Sequence, residues 1–454
     1  MTRRQLLLSL AITAKRPNIV LILTDDQGFG DLACHGNPIL QTPNLDRVHH
    51  EAVRFTNFHV SPTCSPTRSA LMSGRHEFKN GITHTILERE RMALSTVTIA
   101  QVLKSAGYTT GIFGKWHLGD AEPYRPDKRG FDEVFIHGCG GIGQKYAGTC
   151  ADAPGNSYFN PAILHNNRFE KTQGYCTDVF FGQAMKWISA AKKPFFAYIT
   201  PNAPHAPLDC PPDYEARYEG KGLAPQQRKF FGMITNIDDN VGRLLALLKE
   251  KNLERDTLLI FMNDNGGTAG VKVFNAGMRG QKGTPYMGGT RGACFFRWPG
   301  QLKPGDANGL AAHIDIHPTL AAIAGAKAAP GIDGRSLVPL LENPQAKWPD
   351  RYLFTHVGRW EPGQAANSKY ARCRVRNTQY SLVNQGKAWE LYDLLADPGE
   401  QKDLAAERPA VVKEMSAVYD RWWDEVQPML VNENAVPPKT NPFVDLWEQQ
   451  FGKP

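Results

Sequence analysis

The chain has 454 residues, a formal net charge of +7, and apolar and charged fractions of 41% and 21%. One hydrophobic core rarely organises a chain of this length, so we expect a large domain and a smaller one. The composition excludes a largely disordered chain. The charge is small for the length, and there is no basic run and no zinc-type Cys/His spacing, so nucleic acid is not expected as a partner.

The N-terminus has the pattern of an export signal. Arg3 and Arg4 precede a short apolar run at residues 6–14, which ends in small residues. This order is typical of a secretory signal, and the paired arginines resemble a twin-arginine signal. The alternative is a frayed tail with chance leucines. We expect residues 1–16 to direct export to the periplasm or outside the cell, and no segment reaches membrane-spanning length.

Four apolar runs predict the strands of one sheet, at residues 18–24, 110–113, 194–199 and 257–262. Nearly continuous hydrophobicity is typical of parallel strands that are buried on both faces. Helical periodicity separates the runs, at residues 98–106, 178–190 and 230–251. This alternation predicts an α/β fold with a large, mainly parallel sheet flanked by helices.

The pattern changes near residues 343–349. Beyond that point a short strand candidate at 380–383 and a helix at 409–426 predict a smaller α+β domain with a short antiparallel sheet. We therefore expect a large domain at residues 17–345 and a C-terminal α+β domain at residues 346–454.

Oxygen-bearing side chains follow two of the predicted strands. Asp25 and Asp26 come after the first strand, and Asp264 and Asn265 after the strand at 257–262. The carboxyl ends of parallel strands form the ligand-binding edge of a sheet. Carboxylate and amide oxygens suit Ca²⁺ or Mg²⁺, although ordinary turn chemistry at strand ends is an equal alternative.

Cys64 precedes a helical stretch, with Pro66 in its first turn and Arg68 one turn further on. A helix N-terminus favours an anion or a thiolate. From the residues alone, a buried structural cysteine is the simpler interpretation.

Further candidate residues lie after strands or between glycines. Lys115 and His117 are two positions apart in a predicted extended segment, so their side chains would project together. His205 lies among prolines after the strand at 194–199, and Lys282 lies in a Gly-rich loop. Taken singly, each of these has an ordinary loop residue as its alternative.

The chain has eight cysteines, which suits an exported protein with a few disulfides. Cys139, Cys150 and Cys176 share one Gly-rich region and are candidates for a bridge, but the sequence does not fix the pairing.

Residues 64–68 read Cys-Ser-Pro-Thr-Arg, and here the chain resembles the type I, formylglycine-dependent sulfatases, an arylsulfatase-like family of the alkaline phosphatase superfamily. The family's second signature matches residues 107–118. The remaining candidates follow in the family's order, and residues 389–400 resemble its small domain. The resemblance runs from about residue 17 to residue 423.

The resemblance implies an alkaline-phosphatase-like fold and hydrolysis of a sulfate monoester by a formylglycine nucleophile made from Cys64. It implies that Ca²⁺, or alternatively Mg²⁺, is held by Asp25, Asp26, Asp264 and Asn265. The formylglycine diol would be fixed by Arg68 and Lys115, sulfate would be contacted by Lys282 and His205, and a proton would be taken by His117. His137 is a possible counterpart of a further sulfate-contacting residue and is left open.

The resemblance also implies a maturation partner, either a formylglycine-generating enzyme or an anaerobic sulfatase-maturing enzyme. The substrate is expected to be a sulfated small molecule or saccharide. Loops 138–167 and 356–370 are candidates for lining a sugar pocket, with Arg359, Trp360 and Arg372 as possible contacts. Two alternatives stay open: a phosphate or phosphonate monoester hydrolase of the same superfamily, and a non-catalytic glycan-binding protein.

Overall fold

The computed structural model describes residues 16–192 and 194–453. The export signal expected at residues 1–16 lies outside these residues, apart from Arg16. The strands are β1 (Asn18–Thr24), β2 (Val53–Phe55), β3 (Phe58–His59), β4 (Thr109–Lys115), β5 (Glu133–His137), β6 (Ala162–His165), β7 (Arg168–Lys171), β8 (Phe195–Thr200), β9 (Thr257–Asn263), β10 (Cys294–Arg297), β11 (Gly305–Ala307), β12 (Ala311–Ala312), β13 (Leu353–His356), β14 (Cys373–Arg376), β15 (Tyr380–Asn384) and β16 (Trp389–Asp393).

The α-helices are α1 (Pro43–His50), α2 (Cys64–Ser73), α3 (Ile99–Ser105), α4 (Cys176–Ala190), α5 (Pro212–Ala216), α6 (Pro225–Glu250), α7 (Met287–Thr290), α8 (Ile316–Ile323), α9 (Val338–Glu342), α10 (Pro409–Val426) and α11 (Pro442–Phe451). Within the described residues, no helix combines the length and the apolar character needed to cross a bilayer.

A ten-stranded mixed sheet forms the centre of the molecule, in the order β11-β2-β10-β9-β1-β8-β4-β5-β6-β7. The five central strands, from β9 to β5, are all parallel. Antiparallel pairs join β10 to β9 and β2 on one side, and β6 to β5 and β7 on the other. The predicted fold class is confirmed, and the four predicted strands are β1, β4, β8 and β9.

Side chains of the central strands alternate between two buried layers. In β1, Ile19, Leu21 and Leu23 belong to one apolar cluster, and Val20 and Ile22 belong to another on the opposite face. Strands buried on both faces need apolar residues at every position, which accounts for the continuous hydrophobic runs. The two layers hold the carboxyl ends of these strands in fixed positions.

A four-stranded antiparallel sheet, β13-β14-β15-β16, follows in the C-terminal region. Helix α10 covers it, and Met415, Tyr419 and Trp422 pack with Val375 and Leu382 of the sheet. Beyond this unit the chain returns to the large sheet, where Phe443 of α11 packs on Phe169 of β7 with ring centroids 5.9 Å apart. The boundary between residues 345 and 346 stays a prediction.

Candidate functional site

The first part of the site is a group of oxygen-bearing side chains at the ends of β1 and β9. These strands are parallel neighbours, with Thr24 opposite Asn263, so Asp25 and Asp264 follow at the same edge. The Asp26 backbone N–H donates to Asp264 Oδ1 at 3.2 Å. Asn265 Nδ2 donates to Asp26 Oδ1 at 3.1 Å. All four side chains are buried, so the structure brings the predicted metal ligands together.

This group fits a hard cation in two respects. Asp25 Oδ1 and Asn265 Oδ1 are buried oxygens without a hydrogen-bond partner among the described residues, and such atoms are costly unless something pairs with them. Burial, followed by the charge of Asp25, raises the pKa of Asp264 well above its usual range. An all-oxygen donor set with repelling carboxylates is the kind that binds Ca²⁺ or Mg²⁺.

Cys64 is the first residue of α2, and it is buried at the N-terminus of that helix. Burial raises the pKa of its thiol, but the charges of Lys115 and Lys282 outweigh that effect and lower the pKa overall. The helix N-terminus adds further partial positive charge. Any negative charge that develops at this position is therefore stabilised.

Arg68 and Lys115 are fully buried and link the cysteine to the acidic group. Lys115 Nζ donates to Asp25 Oδ2 at 2.5 Å. Arg68 donates to Asp264 Oδ2 at 2.9 Å, to the Lys115 carbonyl at 3.0 Å and to Thr200 Oγ1 at 2.5 Å. Although burial raises the pKa of Asp25, Lys115 and then His205 and Arg68 hold it well below its usual range.

His117 follows β4 with a φ of +58°. Its Nε2–H donates to the Thr85 carbonyl at 2.8 Å, so Nδ1 is the atom that can accept a proton. Burial, and then the charge of Lys115, lowers its pKa well below the ordinary value, and the ring is neutral. A Cβ atom at Gly140 would lie 2.8 Å from His117 Cε1, so glycine is required at that position to leave room for the ring.

His205 and Lys282 reach the same group from separate loops. His205 donates from Nδ1 to the Ala206 carbonyl at 2.6 Å, and its Nε2 lies 3.8 Å from Asp26 Oδ2. Lys282 Nζ donates to Asp26 Oδ1 at 2.5 Å. Burial lowers the pKa of Lys282, but Asp26 and the other nearby anions raise it overall. Lys282 is therefore a cation at neutral pH.

A cavity of about 300 Å³ opens above these residues. Four of the predicted site residues line it: Cys64, His117, His205 and Lys282. Arg359 also lines it, as the sequence suggested. The remaining lining residues are His84, Thr85, Ile86, Gly140, Gln144 and Tyr146.

Several of these positions were not identified from the sequence. His84 and Thr85 lie in an irregular loop that carries no periodic signal. Thr200, the partner of Arg68, ends β8, so its place at the carboxyl edge of a parallel strand could have revealed it. Three candidates do not line the cavity: Trp360 is buried with Phe78 and Trp423 in the C-terminal core, His137 is buried beside Lys115 in the β4–β5 pairing, and Arg372 lies beside Arg359, where it donates to the Gly358 carbonyl.

Comparisons with known proteins identify the family of the chain. A family model described as "Sulfatase" matches residues 17–326, and one described as "N-sulphoglucosamine sulphohydrolase, C-terminal" matches residues 283–424. Arylsulfatase A of Homo sapiens is 31% identical, with 91% of this chain and 84% of that protein covered. N-acetylgalactosamine-6-sulfatase of Mus musculus is 32% identical, with 86% and 82% covered.

Solved structures show the same fold. The crystal structure of Ps i-CgsB in complex with k-i-k-neocarrahexaose has a TM-score of 0.78 and 27% identity, covering 90% of this chain and 92% of that chain. A phosphonate monoester hydrolase of Agrobacterium radiobacter, at 19% identity, a TM-score of 0.64 and coverage of 92% and 96%, shows the fold alone. The chain belongs to the sulfatase family and is an enzyme that hydrolyses sulfate esters.

Proposed function

We propose that this sulfatase cleaves a sulfate monoester on a saccharide, through a formylglycine made from Cys64 beside a bound Ca²⁺. The observation that carries the proposal is the position of Cys64, which is buried at a helix N-terminus and lies in the electrostatic field of Lys115 and Lys282. The relatives that act on N-acetylgalactosamine-6-sulfate, and the carrageenan-type oligosaccharide in the Ps i-CgsB complex, support a saccharide as the carrier.

Two groups absent from the unmodified chain would complete the site. Oxidation of Cys64 to formylglycine would supply a hydrated aldehyde, with one hydroxyl group to attack sulfur and a second that permits sulfate to leave. A Ca²⁺ ion, or alternatively Mg²⁺, held by Asp25, Asp26, Asp264 and Asn265 would polarise the oxygens of the reacting groups.

The chain's own residues then have distinct tasks. Arg68 and Lys115 are fixed by buried ion pairs, so they orient the modified residue 64 without reorganising. Lys282 and His205 approach from the cavity side and bind the sulfate oxygens, where positive charge stabilises the transition state. Neutral His117 presents Nδ1 as the base that takes a proton when sulfate is released.

A maturation enzyme, either a formylglycine-generating enzyme or an anaerobic sulfatase-maturing enzyme, is required by this proposal. Export to the periplasm or outside the cell is proposed on the pattern of residues 1–16.

The alternative within the superfamily is hydrolysis of phosphate or phosphonate esters. It is tested by comparing kcat/KM for the sulfate and phosphate esters of one phenol, with fully modified, Ca²⁺-loaded protein. We expect the sulfate ester to be favoured at least about tenfold, or ~1.4 kcal/mol in activation free energy. A preference for phosphate would overturn the assignment, and turnover of neither ester would favour a glycan-binding protein.

A further inference from the structure

The outer wall of the cavity carries a cation that the proposed chemistry does not use. Arg359 lines the cavity, and its guanidinium donates to Thr85 Oγ1 at 3.0 Å. Its Nε–H is buried and has no hydrogen-bond partner among the described residues. Arg359 forms no ion pair with any acidic side chain among the described residues. A half-buried guanidinium without a counter-ion is costly.

A second arginine lies beside the first. Arg372 is exposed, and it donates to the carbonyl of Gly358, the residue next to Arg359, at 3.3 Å. The part of the side chain that is covered by its neighbours, and then the charge of Arg359, lower the pKa of Arg372. Arg89 in the same region differs, because it pairs with Glu433 at 3.0 Å. The Arg359–Arg372 pair is therefore a concentration of positive charge that the described residues leave unbalanced.

The backbone adds to this cost. Arg359 has a φ of +60° and Arg372 a φ of +57°. Residues other than glycine rarely adopt this region of φ, because it is sterically unfavourable for them. The fold thus holds two like charges close together through two unfavourable backbone positions, and an anion bound beside them would offset the charge repulsion.

A neutral donor faces the same space. His84 lines the cavity, and its Nδ1 accepts hydrogen bonds from the backbone N–H groups of Thr85 at 2.8 Å and Ile86 at 3.1 Å. Nε2 therefore carries the proton and is free to donate. Burial, and then Arg359, Arg89, His117 and Arg372, lowers the pKa of His84 to about 3, so the ring stays neutral.

We infer a second anion subsite at the wall of this cavity, formed by Arg359 with His84 Nε2–H as an additional donor, and strengthened by the charge of Arg372, which lies beside Arg359 and outside the cavity lining. It takes a sulfate or carboxylate group on the same saccharide that carries the scissile sulfate. The cavity volume of about 300 Å³ is at the lower end for small-molecule sites, which suits a single sugar ring held between two anionic groups. The inference rests on the proposed function and narrows its substrate class to saccharides with at least two anionic groups.

The subsite is tested by inhibition of p-nitrophenyl sulfate turnover with matched sugars. N-acetylgalactosamine 6-sulfate is compared with its 4,6-disulfate, and with a 6-sulfated disaccharide that carries a uronate. We expect one dianionic probe to have an inhibition constant lower than that of the monosulfate by on the order of tenfold, the size of one charge-assisted hydrogen bond. Which probe is favoured identifies the second group as sulfate or carboxylate.

Two substitutions test whether the arginines cause the preference for a dianionic probe. Arg359→Gln should bring the inhibition constants of the monosulfate and the favoured dianionic probe to within about threefold of each other. Arg372→Gln should reduce the ratio of these inhibition constants less, because that side chain is more exposed. Arg168→Gln, an exposed arginine on β7, is the control and should keep the full ratio. Thermal unfolding midpoints are measured for each variant, so that a loss of folding is recognised.

The inference is overturned if neither dianionic probe is favoured by the unsubstituted protein, or if the preference survives both arginine substitutions. If the protein hydrolyses p-nitrophenyl sulfate but binds the dianionic probes no more tightly than the monosulfate, the proposed function stands and only the subsite is rejected. A complete lack of turnover by modified, Ca²⁺-loaded protein contradicts the proposed function and the subsite together.

Discussion

Asp264 divides its two carboxylate oxygens between the Asp26 backbone and the Arg68 guanidinium. It follows β9 directly and has no exposed surface. Arg68 fixes the carboxyl group on one side, and the proposed metal would bind it on the other. The residue therefore serves both the acidic group and the arginine that faces the cysteine.

The first prediction concerns metal binding by this residue. Ca²⁺ should raise the unfolding midpoint of the native protein, because a ligand bound only by the folded state stabilises it by about 2.7 kcal/mol at 100 times its Kd. Asp264→Ala should abolish that rise and most of the activity. Asp256→Ala changes an exposed acid at the opposite end of the same strand and should leave the rise intact. A full Ca²⁺ response in Asp264→Ala would show that the metal lies elsewhere.

The second prediction concerns the ionisation of Glu90, a buried side chain that makes stability depend on pH. Burial and the charge of Glu88 raise its pKa from 4.5 to about 7. Between these values the folded state holds a proton that the unfolded state releases, so stability falls as pH rises from about 4.5 to 7. The loss is on the order of 3 kcal/mol once pH exceeds 7.

Glu90→Gln should remove this contribution, because glutamine stays neutral and its side-chain oxygen can still accept the hydrogen bond that Thr149 Oγ1 donates to Glu90 Oε1 at 3.0 Å. Unfolding midpoints measured from pH 5 to 8 should fall less steeply in the variant, with its largest gain at pH 8. Parallel profiles for the two proteins would contradict the assignment.

At the scale of elements, a disulfide closes the loop that forms one wall of the cavity. Cys139 and Cys150 are bridged, and Gly140, Gln144 and Tyr146 of the enclosed loop line the cavity. The sequence suggested a bridge among Cys139, Cys150 and Cys176, and Cys176 is free in the structure. The proposed catalytic residues and metal ligands lie outside this loop.

Breaking this bridge should affect substrate binding more than the chemical step. The double variant Cys139→Ser, Cys150→Ser should raise KM several-fold with a smaller change in kcat, because the loop that lines the cavity loses its covalent tie. It should also lower stability by about 3 kcal/mol, because the unfolded chain is no longer constrained by the bridge. Cys34→Ser, which removes a free thiol remote from the cavity, is the control. An unchanged KM in the double variant would mean that the loop does not contact substrate.

The elements that the sequence predicts best are those with an uninterrupted pattern. β1, β4, β8 and β9 are buried on both faces, so their hydrophobic runs were visible, and the carboxyl-edge rule placed Asp25, Asp26 and Asp264 together. Strands in the outer parts of the sheet were missed: β2 has three residues, and β7, at one edge, is mostly exposed, so neither has a distinctive pattern. His84 and Thr85 line the cavity through loop geometry, which depends on long-range packing and leaves no local signal.

At the scale of the whole molecule, the C-terminal segment packs back onto the large domain. Phe443 is fully buried, and a Cβ atom at Gly138 would lie 2.7 Å from its ring. Asn441 Nδ2 donates to the carbonyls of Gly148 at 3.1 Å and Thr149 at 2.6 Å. The final helix thus supports both β7 and the disulfide-bridged loop.

Phe443→Ala should destabilise the protein by about 3–5 kcal/mol, the usual cost of removing a buried phenyl ring, and should raise KM by loosening the loop. Val436→Ala changes a side chain that is 83% exposed and should alter stability by less than about 0.5 kcal/mol. Unfolding midpoints and KM values provide the measurement. A Phe443→Ala protein as stable as the Val436→Ala protein would show that the segment is not part of the folded unit.

The central claim, a formylglycine at position 64, is tested most directly by the mass of the tryptic peptide that spans residues 55–68. The active protein, made in a host able to perform the modification, should yield a peptide lighter by the difference between a CH₂SH and a CHO side chain, and Cys64→Ala should yield no activity. An unmodified thiol at position 64 in fully active protein would contradict the account.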